Sequence, residues 1–492
     1  PDTSDQPAPR SASRAAHGDF GDRPREPVAI VGMGLRLPGQ VDTPAAYWRL
    51  LRDGRDAVTD VPADRWRPED FWDPDVQVPG RTVSRWGGFL SDPEHFDAAF
   101  FGISRREALR MDPQQRLVLE TTQSALDDAG LARHRLAGSD TGVFAGIGHP
   151  EYAWINQGHP LLADSFTATG SFPAVAANRV SYVYDLRGPS YTVDAVCSSA
   201  LLALHLASRS IERGDCAQAI VTGANLTLTP SMFIWFSKLG VMSPDGRCRS
   251  FDADASGIVF GEGVVSLVLK PLSAARADGD RVYALLRGSS ASQEGRTNGL
   301  TAPSREGQEE MLRRAYRDAG IAPHEVRYVE AHGTGTLVGD PIETHALGAV
   351  LGAGRAPEDP CWIGSVKSNL GHLGMVAGLA GLAKTALALH HRELPPSLHY
   401  ERENPRLDLP GQGLRVVDRL TPWPGAGPAR AGVTSLSFGG TNVHVVLEEA
   451  ESVPRRPDPL PAGEPYLLPL SAHTGAALRE AAAGLADLAR GA

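Results

Sequence analysis

The chain has 492 residues, and its 58 acidic and 48 basic side chains give a net charge of −10. The sequence contains neither a basic block nor a stripe of alternating basic and aromatic residues, which argues against nucleic acid as a partner. Its four cysteines form no C-x-x-C pair and indicate a reducing, cytoplasmic protein without a disulfide framework. No apolar run reaches the ~18 residues of a membrane span, so we expect no membrane association.

The N-terminal region predicts a linker followed by a buried strand. Residues 1–26 are rich in Pro, Asp, Ser, Arg and Ala without apolar periodicity, which is typical of a flexible linker. Residues 28–35 read as a strand with a glycine turn that partly matches a dinucleotide-binding fingerprint. Because Leu37 takes the place of the third glycine, we favour a simple strand-to-helix turn over a nucleotide site.

The rest of the chain alternates between strand-like and helical patterns. The first round comprises helices at 45–54, 105–130 and 174–184 and strands at 141–147 and 217–223. The second round comprises strands at 281–287, 326–331 and 362–366 and helices at 306–320 and 341–351. This alternation predicts a layered α/β fold, and the repeated rhythm predicts two structurally similar halves.

A lone cysteine stands where a strand pattern changes to a helix pattern. Residues 191–196 are rich in β-branched side chains, and an Ala- and Leu-rich segment follows Cys197. A thiol at a helix N-terminus is favoured as thiolate by the unpaired amides and the macrodipole. We therefore expect Cys197 to be nucleophilic, the alternative being a buried, inert cysteine.

Three further stretches place polar groups at strand ends. His332 ends a strand and enters a glycine-rich loop, and His372 lies between a strand and a small-residue helix. The glycine turn at 437–442 presents amides that could face an oxyanion. Each feature alone could be a satisfied histidine or a plain turn, and Cys197 with two histidines could bind zinc. Their placement fits acyl chemistry better.

Seven motifs occur in the order found in one enzyme family. They are VAIVGMG (28–34), MDPQQR (111–116), VDAVCSS (193–199), EAHGTGT (330–336), GDPIE (339–343), VKSNLGH (366–372) and FGGTN (438–442). On these motifs the chain resembles a β-ketoacyl synthase of the thiolase superfamily, specifically the ketosynthase domain of a modular type I polyketide synthase. The resemblance covers about residues 27–450.

This resemblance implies a thiolase-like α/β fold in which two similar βαβ halves stack as α-β-α-β-α layers. Residues 27–270 would form the half that carries the nucleophile and most of a homodimer interface. Residues 271–450 would form the half that carries both histidines and the glycine turn. Residues 451–492 resemble a linker and the start of the adaptor that follows such ketosynthases.

The resemblance also implies a reaction. Cys197 would receive an acyl chain from an acyl carrier protein, and His332 and His372 would promote decarboxylation of a malonyl-type extender whose carbanion attacks the thioester. The amides of Cys197 and Phe438 would form the oxyanion hole, with Phe438 as a gate. Partners would be carrier proteins and other megasynthase domains. Substrates would arrive on the 4′-phosphopantetheine arm, with no metal and no tightly bound cofactor.

Other residues receive supporting roles from the same resemblance. Lys367 would be the electrostatic partner of the histidine loop and would pair with Glu343. The resemblance further implies that Asn369 supports the active site. It also implies that four residues contact the substrate: Thr334, Thr336, Gly439 and Gly440.

Departures from the family pattern lie close to the nucleophile. Ala195, Val196 and Ala200 replace Thr, Ala and Ser of the usual motif, and Gly374 stands where an acidic residue is common. Residues 176–182 resemble ketosynthases of assembly lines with a free-standing acyltransferase, or of hybrid lines. We expect an elongating enzyme. The alternatives are a non-elongating ketosynthase that only transfers acyl chains, or a carrier-protein-binding scaffold.

Overall fold

The computed structural model describes residues 26–157, 161, 163–451 and 467–491. Apart from Glu26, the predicted N-terminal linker lies outside the described residues, as does most of the predicted linker after Glu451. Within the described ranges, no helix is long and apolar enough to cross a bilayer.

The strands follow the predicted alternation. They are β1 (Val28–Arg36), β2 (Thr59–Asp60), β3 (Trp86–Gly87), β4 (Thr141–Ile147), β5 (Ser190–Val193), β6 (Gln218–Asn225), β7 (Gly263–Pro271), β8 (Ala284–Gln293), β9 (Tyr328–Glu330), β10 (Cys361–Gly364), β11 (Glu393–Leu394), β12 (Leu414–Val416), β13 (Thr421–Pro422), β14 (Arg430–Leu436) and β15 (Thr441–Glu448).

The helices are α1 (Pro44–Arg52), α2 (Pro68–Phe71), α3 (Arg105–Ala108), α4 (Pro113–Asp128), α5 (Arg133–Leu136), α6 (Glu151–Gln157), α7 (Thr167–Ser171), α8 (Val175–Tyr184), α9 (Ser199–Arg213), α10 (Ser231–Lys238), α11 (Leu272–Asp278), α12 (Arg305–Ala319), α13 (Gly339–Leu347), α14 (Lys367–Leu370), α15 (Ala377–His391) and α16 (Gly475–Gly491).

One strand order occurs twice in the main sheet. The 11 strands run β12-β10-β9-β14-β15-β8-β1-β7-β6-β4-β5, and β1 and β8 join the two sides by antiparallel pairing. Apart from β12 at one end, the sheet consists of two sets of five strands, β5-β4-β6-β7-β1 and β10-β9-β14-β15-β8. When the strands of each set are numbered 1 to 5 in chain order, both sets have the spatial order 3-2-4-5-1. In both sets strand 2 is parallel to strands 3 and 4, while strand 5 is antiparallel to its neighbours.

Helices cover both faces of each side of the sheet. Helices α4 and α8 pack outside the first set of strands, and α12 and α13 lie outside the second. Helices α9 and α15 contact each other between the two sets. The strands β4 and β7 are almost fully buried, as strands covered by helices on both faces must be. The predicted layered fold with two similar halves is confirmed, whereas the boundary at residue 270 stays a prediction.

The central helix α15 is built from small residues because it packs closely on several neighbours. A Cβ added at Gly378 would lie 2.8 Å from the Cβ of Leu201 on α9. A Cβ added at Gly381 would lie 2.9 Å from the Cγ of Glu330. Both glycines therefore permit a close approach that a larger side chain would prevent.

Two predicted helices have different bounds in the structure. The helix predicted over 105–130 is split into α3 and α4, because the Asp112 carboxylate accepts a hydrogen bond from Gln114 N (2.8 Å) and caps a new helix that starts with Pro113. The helix predicted over 341–351 is α13, which begins at Gly339 and continues after Leu347 as a π-helical turn, Gly348–Gly352.

A buried histidine fastens the hairpin formed by β14 and β15. The Nδ1 atom of His444 pairs with the hydroxyl of Thr434 across the hairpin (2.9 Å), and Nε2 pairs with the Tyr316 hydroxyl on α12 (2.9 Å). Burial lowers the pKa of His444 to about 3. This histidine is therefore neutral in the folded protein, while a histidine in the unfolded chain titrates near ~6.5.

We expect His444 to make the protein acid-sensitive. Between pH ~6.5 and the folded pKa of about 3, the unfolded chain binds a proton at this position that the folded chain does not. The free energy of unfolding should therefore fall as pH falls through this window. His444→Gln should lose less stability than the wild type between pH 7 and 5 in urea unfolding, and equal losses would contradict the assignment.

Candidate active site

Cys197 lies in a sharp elbow between β5 and α9. It is the middle residue of a single 3₁₀ turn, Val196–Ser198, and α9 begins two residues later. The Ser199 hydroxyl accepts a hydrogen bond from Ala195 N (2.8 Å) and donates one to Val196 O (2.6 Å). Val196 has φ +52°, a left-handed conformation that β-branched residues rarely adopt. The elbow is thus strained and held in place by its own side chains.

The charge state of the thiol differs from our expectation. The sequence predicted that the helix N-terminus favours thiolate, but burial raises the pKa of Cys197 to about 11, and the positive charge of Lys367 offsets this only in part. The thiol is buried at the junction of two halves, where the charged form is poorly solvated. Cys197 is therefore a thiol in the resting protein and has to lose its proton when its sulfur attacks.

Two buried histidines line the same cavity as Cys197. His332 follows β9 by two residues and His372 follows α14, and their ring centroids are 5.4 Å apart with the rings nearly perpendicular. The cavity has a volume of about 530 Å³ and includes Cys197 and Phe438. The structure thus brings the four main predicted residues together.

Both histidines are neutral. Burial and the nearby Lys367 charge lower the pKa of His332 and His372 well below the ordinary value. The Nδ1 atom of His372 accepts a hydrogen bond from Gly374 N (3.2 Å), so the proton of the neutral ring is on Nε2. The buried Nδ1 atom of His332 has no hydrogen-bond partner among the described residues. The His372 ring can therefore offer its Nε2–H to a ligand.

Lys367 and Glu343 act on each other through charge without forming a close ion pair. No ion pair joins them among the described residues, and the two Glu343 oxygens accept hydrogen bonds from His332 N (2.7 Å) and Gly333 N (2.8 Å). Burial raises the pKa of Glu343 to about 7, and burial lowers that of Lys367 although Glu330 and Glu343 oppose the effect. Glu343 supports the histidine loop through the backbone, and Lys367 acts on it through charge.

A second buried carboxylate, not predicted, ties the two histidine loops together. Glu330 at the end of β9 accepts hydrogen bonds from Val366 N (2.6 Å) and the Tyr328 hydroxyl (2.5 Å). Its other partner is Lys384 on α15, at 2.7 Å, with both side chains at most 3% exposed. A lysine inside the Ala- and Leu-rich run of α15 was the sequence signal for this buried pair.

The turn that carries Phe438 is fastened to the Cys197 elbow. The Ser435 hydroxyl donates to Cys197 O (2.8 Å), and the Ser198 hydroxyl contacts Ser435 O (3.0 Å) and Thr441 O (2.9 Å). These bonds connect the first half of the chain to the β14–β15 hairpin of the second. The distance between the nucleophile and the glycine turn is thereby fixed.

Phe438 belongs to a series of aromatic contacts that leads to His372. Its ring meets Phe236 edge-on (centroids 5.6 Å apart), Phe236 meets Phe260 edge-on (4.9 Å), and Phe260 lies beside His372 (6.4 Å). Phe438 is 40% exposed at the cavity, whereas Phe260 is buried. Neither Phe236 nor Phe260 was predicted, because both come from segments far from Phe438 in sequence.

The remaining predicted residues fall into two groups. Thr334 and Thr336 line the cavity with hydroxyls 3.2 Å apart. Gly439 and Gly440 form the turn beside Phe438 but do not line the cavity. Asn369 is fully buried and donates to Arg55 O (3.1 Å), which supports the loop from behind. In the described part of the chain, Cys197, His332 and His372 do not bring three ligand atoms within the 4.8 Å that a shared metal ion requires.

Comparison with protein-family models decides the family. The model "Beta-ketoacyl synthase, N-terminal domain" matches residues 25–275, the corresponding C-terminal domain matches 283–401, and "Ketoacyl-synthetase C-terminal extension" matches 404–491. The chain belongs to the β-ketoacyl synthase family.

Two curated relatives are much longer proteins. The chain is 49% identical over 435 residues to a phenolphthiocerol/phthiocerol polyketide synthase polypeptide of Mycobacterium tuberculosis, a match that covers 88% of the chain and 23% of the relative. It is 46% identical to spectinabilin polyketide synthase system protein NorA of Streptomyces orinoci, covering 94% of the chain and 25% of the relative. The chain thus spans about a quarter of each.

Two solved ketosynthases share the fold. The oxazolomycin ketosynthase domain OzmH KS7 of Streptomyces albus JA3453 superposes with a TM-score of 0.88 at 41% identity, covering 95% of this chain and 81% of that one. The module 6 ketosynthase of the Bacillus subtilis 168 bacillaene synthase gives 0.79 at 39% identity, covering 87% and 72%. The resemblance to polyketide synthase ketosynthases and the thiolase-like fold are therefore confirmed.

Proposed function

We propose that the chain is an elongating ketosynthase domain that joins an acyl chain on Cys197 to a malonyl-type extender on an acyl carrier protein. The observation that carries the proposal is that a buried thiol and two neutral histidines line one cavity of about 530 Å³. Membership of the β-ketoacyl synthase family supports condensing chemistry in general. The product would be a β-ketoacyl chain on the carrier protein.

The first half-reaction loads Cys197. The sulfur of Cys197 attacks the carbonyl carbon of the incoming thioester, and the thiol gives up its proton as the new carbon–sulfur bond forms. The amides of Cys197 and Phe438 stabilise the oxyanion of the tetrahedral intermediate. The intermediate then breaks its bond to the sulfur of the carrier arm, and this sulfur takes up the proton that Cys197 lost and leaves as a thiol.

The second half-reaction extends the chain. The N–H groups of His332 and His372 donate to the thioester oxygen of the extender, where negative charge develops as carbon dioxide leaves. The resulting enolate carbon attacks the acyl carbon on Cys197, and the Cys197 sulfur leaves as thiolate and is reprotonated. His372 is suited to this step because its proton is on Nε2, away from the Gly374 amide.

Supporting roles follow from the positions of the other residues. Thr334 and Thr336 line the cavity and would bind the 4′-phosphopantetheine arm of the carrier protein. Phe438, half-exposed and resting on Phe236, would gate the passage between the two half-reactions, and Gly439 and Gly440 would give its turn freedom to move. Carrier proteins and neighbouring megasynthase domains would be partners of a cytoplasmic homodimer, with no tightly bound cofactor.

Intact-protein mass spectrometry tests this function in two steps. An acyl-carrier thioester should add the mass of the acyl group to the wild type but not to Cys197→Ala, because the thiol is the acceptor. Addition of malonyl-carrier should then release the acyl group as a β-ketoacyl-carrier product. Acylation without extension would identify a non-elongating ketosynthase, and no acylation would leave only a carrier-binding scaffold.

A further inference from the structure

Cys197 lies between two cavities of very different size. The first is the 530 Å³ cavity, which reaches solvent past Leu239, Leu337 and Val338, each more than half exposed. The second has a volume of about 20 Å³ and is lined by Val196, Met375 and neighbours that are buried or half-buried. Cys197 and Phe236 line both cavities. The thiol therefore lies between a large cavity that is open to solvent and a small chamber that is more enclosed.

The two chambers must be used together during extension. The extender on its carrier arm has to reach His332 and His372, and both histidines line the first cavity only. An acyl chain folded back into that cavity would occupy the path of the extender. The acyl chain on Cys197 must therefore lie in the second cavity when the new bond forms.

Val196 is fixed against this second cavity by the strained elbow. Its backbone has φ +52°, and its amide donates to Asp194 Oδ1 (2.9 Å) while its carbonyl accepts from the Ser199 hydroxyl (2.6 Å). A β-branched side chain in this conformation lowers the free energy of unfolding, and a smaller side chain would lower it less. The bulk of Val196 is thus held where the acyl chain has to pass.

Met375 is held on the other wall. Its sulfur lies 3.6 Å from the Ser199 hydroxyl oxygen, and the residue is 3% exposed. The preceding Gly374 has φ +51°, and a Cβ there would lie 2.5 Å from Asn225 Oδ1. Asn225 is fastened in turn by its bond to Gly261 O (2.9 Å). The backbone that carries Met375 is therefore closely confined.

The volume of the second cavity limits the acyl chain. The cavity of about 20 Å³ is only slightly larger than the ~10–15 Å³ that a cavity needs to hold one water molecule. One or two carbon atoms beyond the thioester carbonyl fill this space. We propose that Cys197 is loaded with short acyl chains of acetyl or propionyl size, and that Val196 and Met375 set this limit. This inference rests on the proposed ketosynthase function.

Competing acyl thioesters test the size limit. The full chain is incubated with N-acetylcysteamine thioesters of acetate, propionate or hexanoate, and the rate of mass gain at Cys197 is followed. We expect acetyl and propionyl to load at least about tenfold faster than hexanoyl, since even one misfit methylene changes selectivity by ~10-fold or more. Val196→Ala and Met375→Ala should each raise the hexanoyl rate relative to acetyl by about tenfold.

A matched variant separates a local effect from a general loss of packing. Met33 on β1 is as buried as Met375 but lines neither cavity, so Met33→Ala should keep the wild-type preference. If Met375→Ala fails to fold, Val196→Ala still tests the size limit, because alanine tolerates a positive φ better than valine and this variant should fold. Equal loading of all three thioesters by the wild type, or unchanged preferences in the variants, would overturn the inference. Loading by none of them would overturn the proposed function itself.

Discussion

His332→Ala should reduce chain extension by at least about 100-fold while leaving acylation of Cys197 within a few fold of the wild type. The reason is that the His332 ring is neutral and lines the cavity that also holds Cys197, so it can donate to the enolate of the extender. Removal of one such donor costs about 10²–10³ in rate. Single-turnover assays with acyl-loaded enzyme and malonyl-carrier measure both half-reactions separately.

The control for this variant is His95→Ala, because His95 is exposed and lies outside both cavities. It should show wild-type acylation and extension. His332→Gln retains an N–H donor and should recover part of the lost extension rate. Unimpaired extension by His332→Ala would remove this histidine from the mechanism.

Lys384→Met should destabilise the protein by about 3–5 kcal/mol. The variant removes the cation 2.7 Å from the buried Glu330 carboxylate, which keeps only the hydrogen bonds from Val366 N and the Tyr328 hydroxyl and the charge of Lys367. An uncompensated buried charge is far more costly than the loss of an exposed ion pair. Urea unfolding monitored by tryptophan fluorescence gives the change in the free energy of unfolding.

Two further variants make this result specific to the buried pair. Lys384→Met combined with Glu330→Gln removes the charge that was left alone, so the double variant should be more stable than the single one. Arg276→Met breaks the exposed pair with Glu451, where the side chains are 54% and 86% exposed, and should cost less than about 1 kcal/mol. A single variant as stable as the wild type would contradict the role of the pair.

Local patterns predicted the secondary structure and the positions of the reactive groups. The change from β-branched residues to an Ala- and Leu-rich run placed Cys197 before a helix, and the structure starts α9 at Ser199. The strand patterns predicted that His332 and His372 each follow a strand, and in the structure the two rings lie close together. These features depend on a few neighbouring residues, which a single sequence shows directly.

Contacts between distant segments were not predictable in this way. The family resemblance implied that Lys367 pairs with Glu343, but the Glu343 carboxylate accepts hydrogen bonds from the amides of its own loop. It also gave no partner for Lys384, because Glu330 approaches only after α15 packs against β9. The high pKa of Cys197 arises from burial between the two halves. Such effects require the tertiary structure, since they depend on what surrounds a side chain and not on its neighbours in sequence.

The repeated strand order relates the two chambers beside Cys197 to each other. The antiparallel pairing of β1 with β8 implies an approximate twofold axis between the sets of strands. His149 follows β4 by two residues, as His332 follows β9, so the axis places one at the position of the other. His149 lines the small chamber and His332 the large one. Each chamber therefore lies at the end of the second strand of its own set, so the two chambers occupy corresponding places in the repeated strand order.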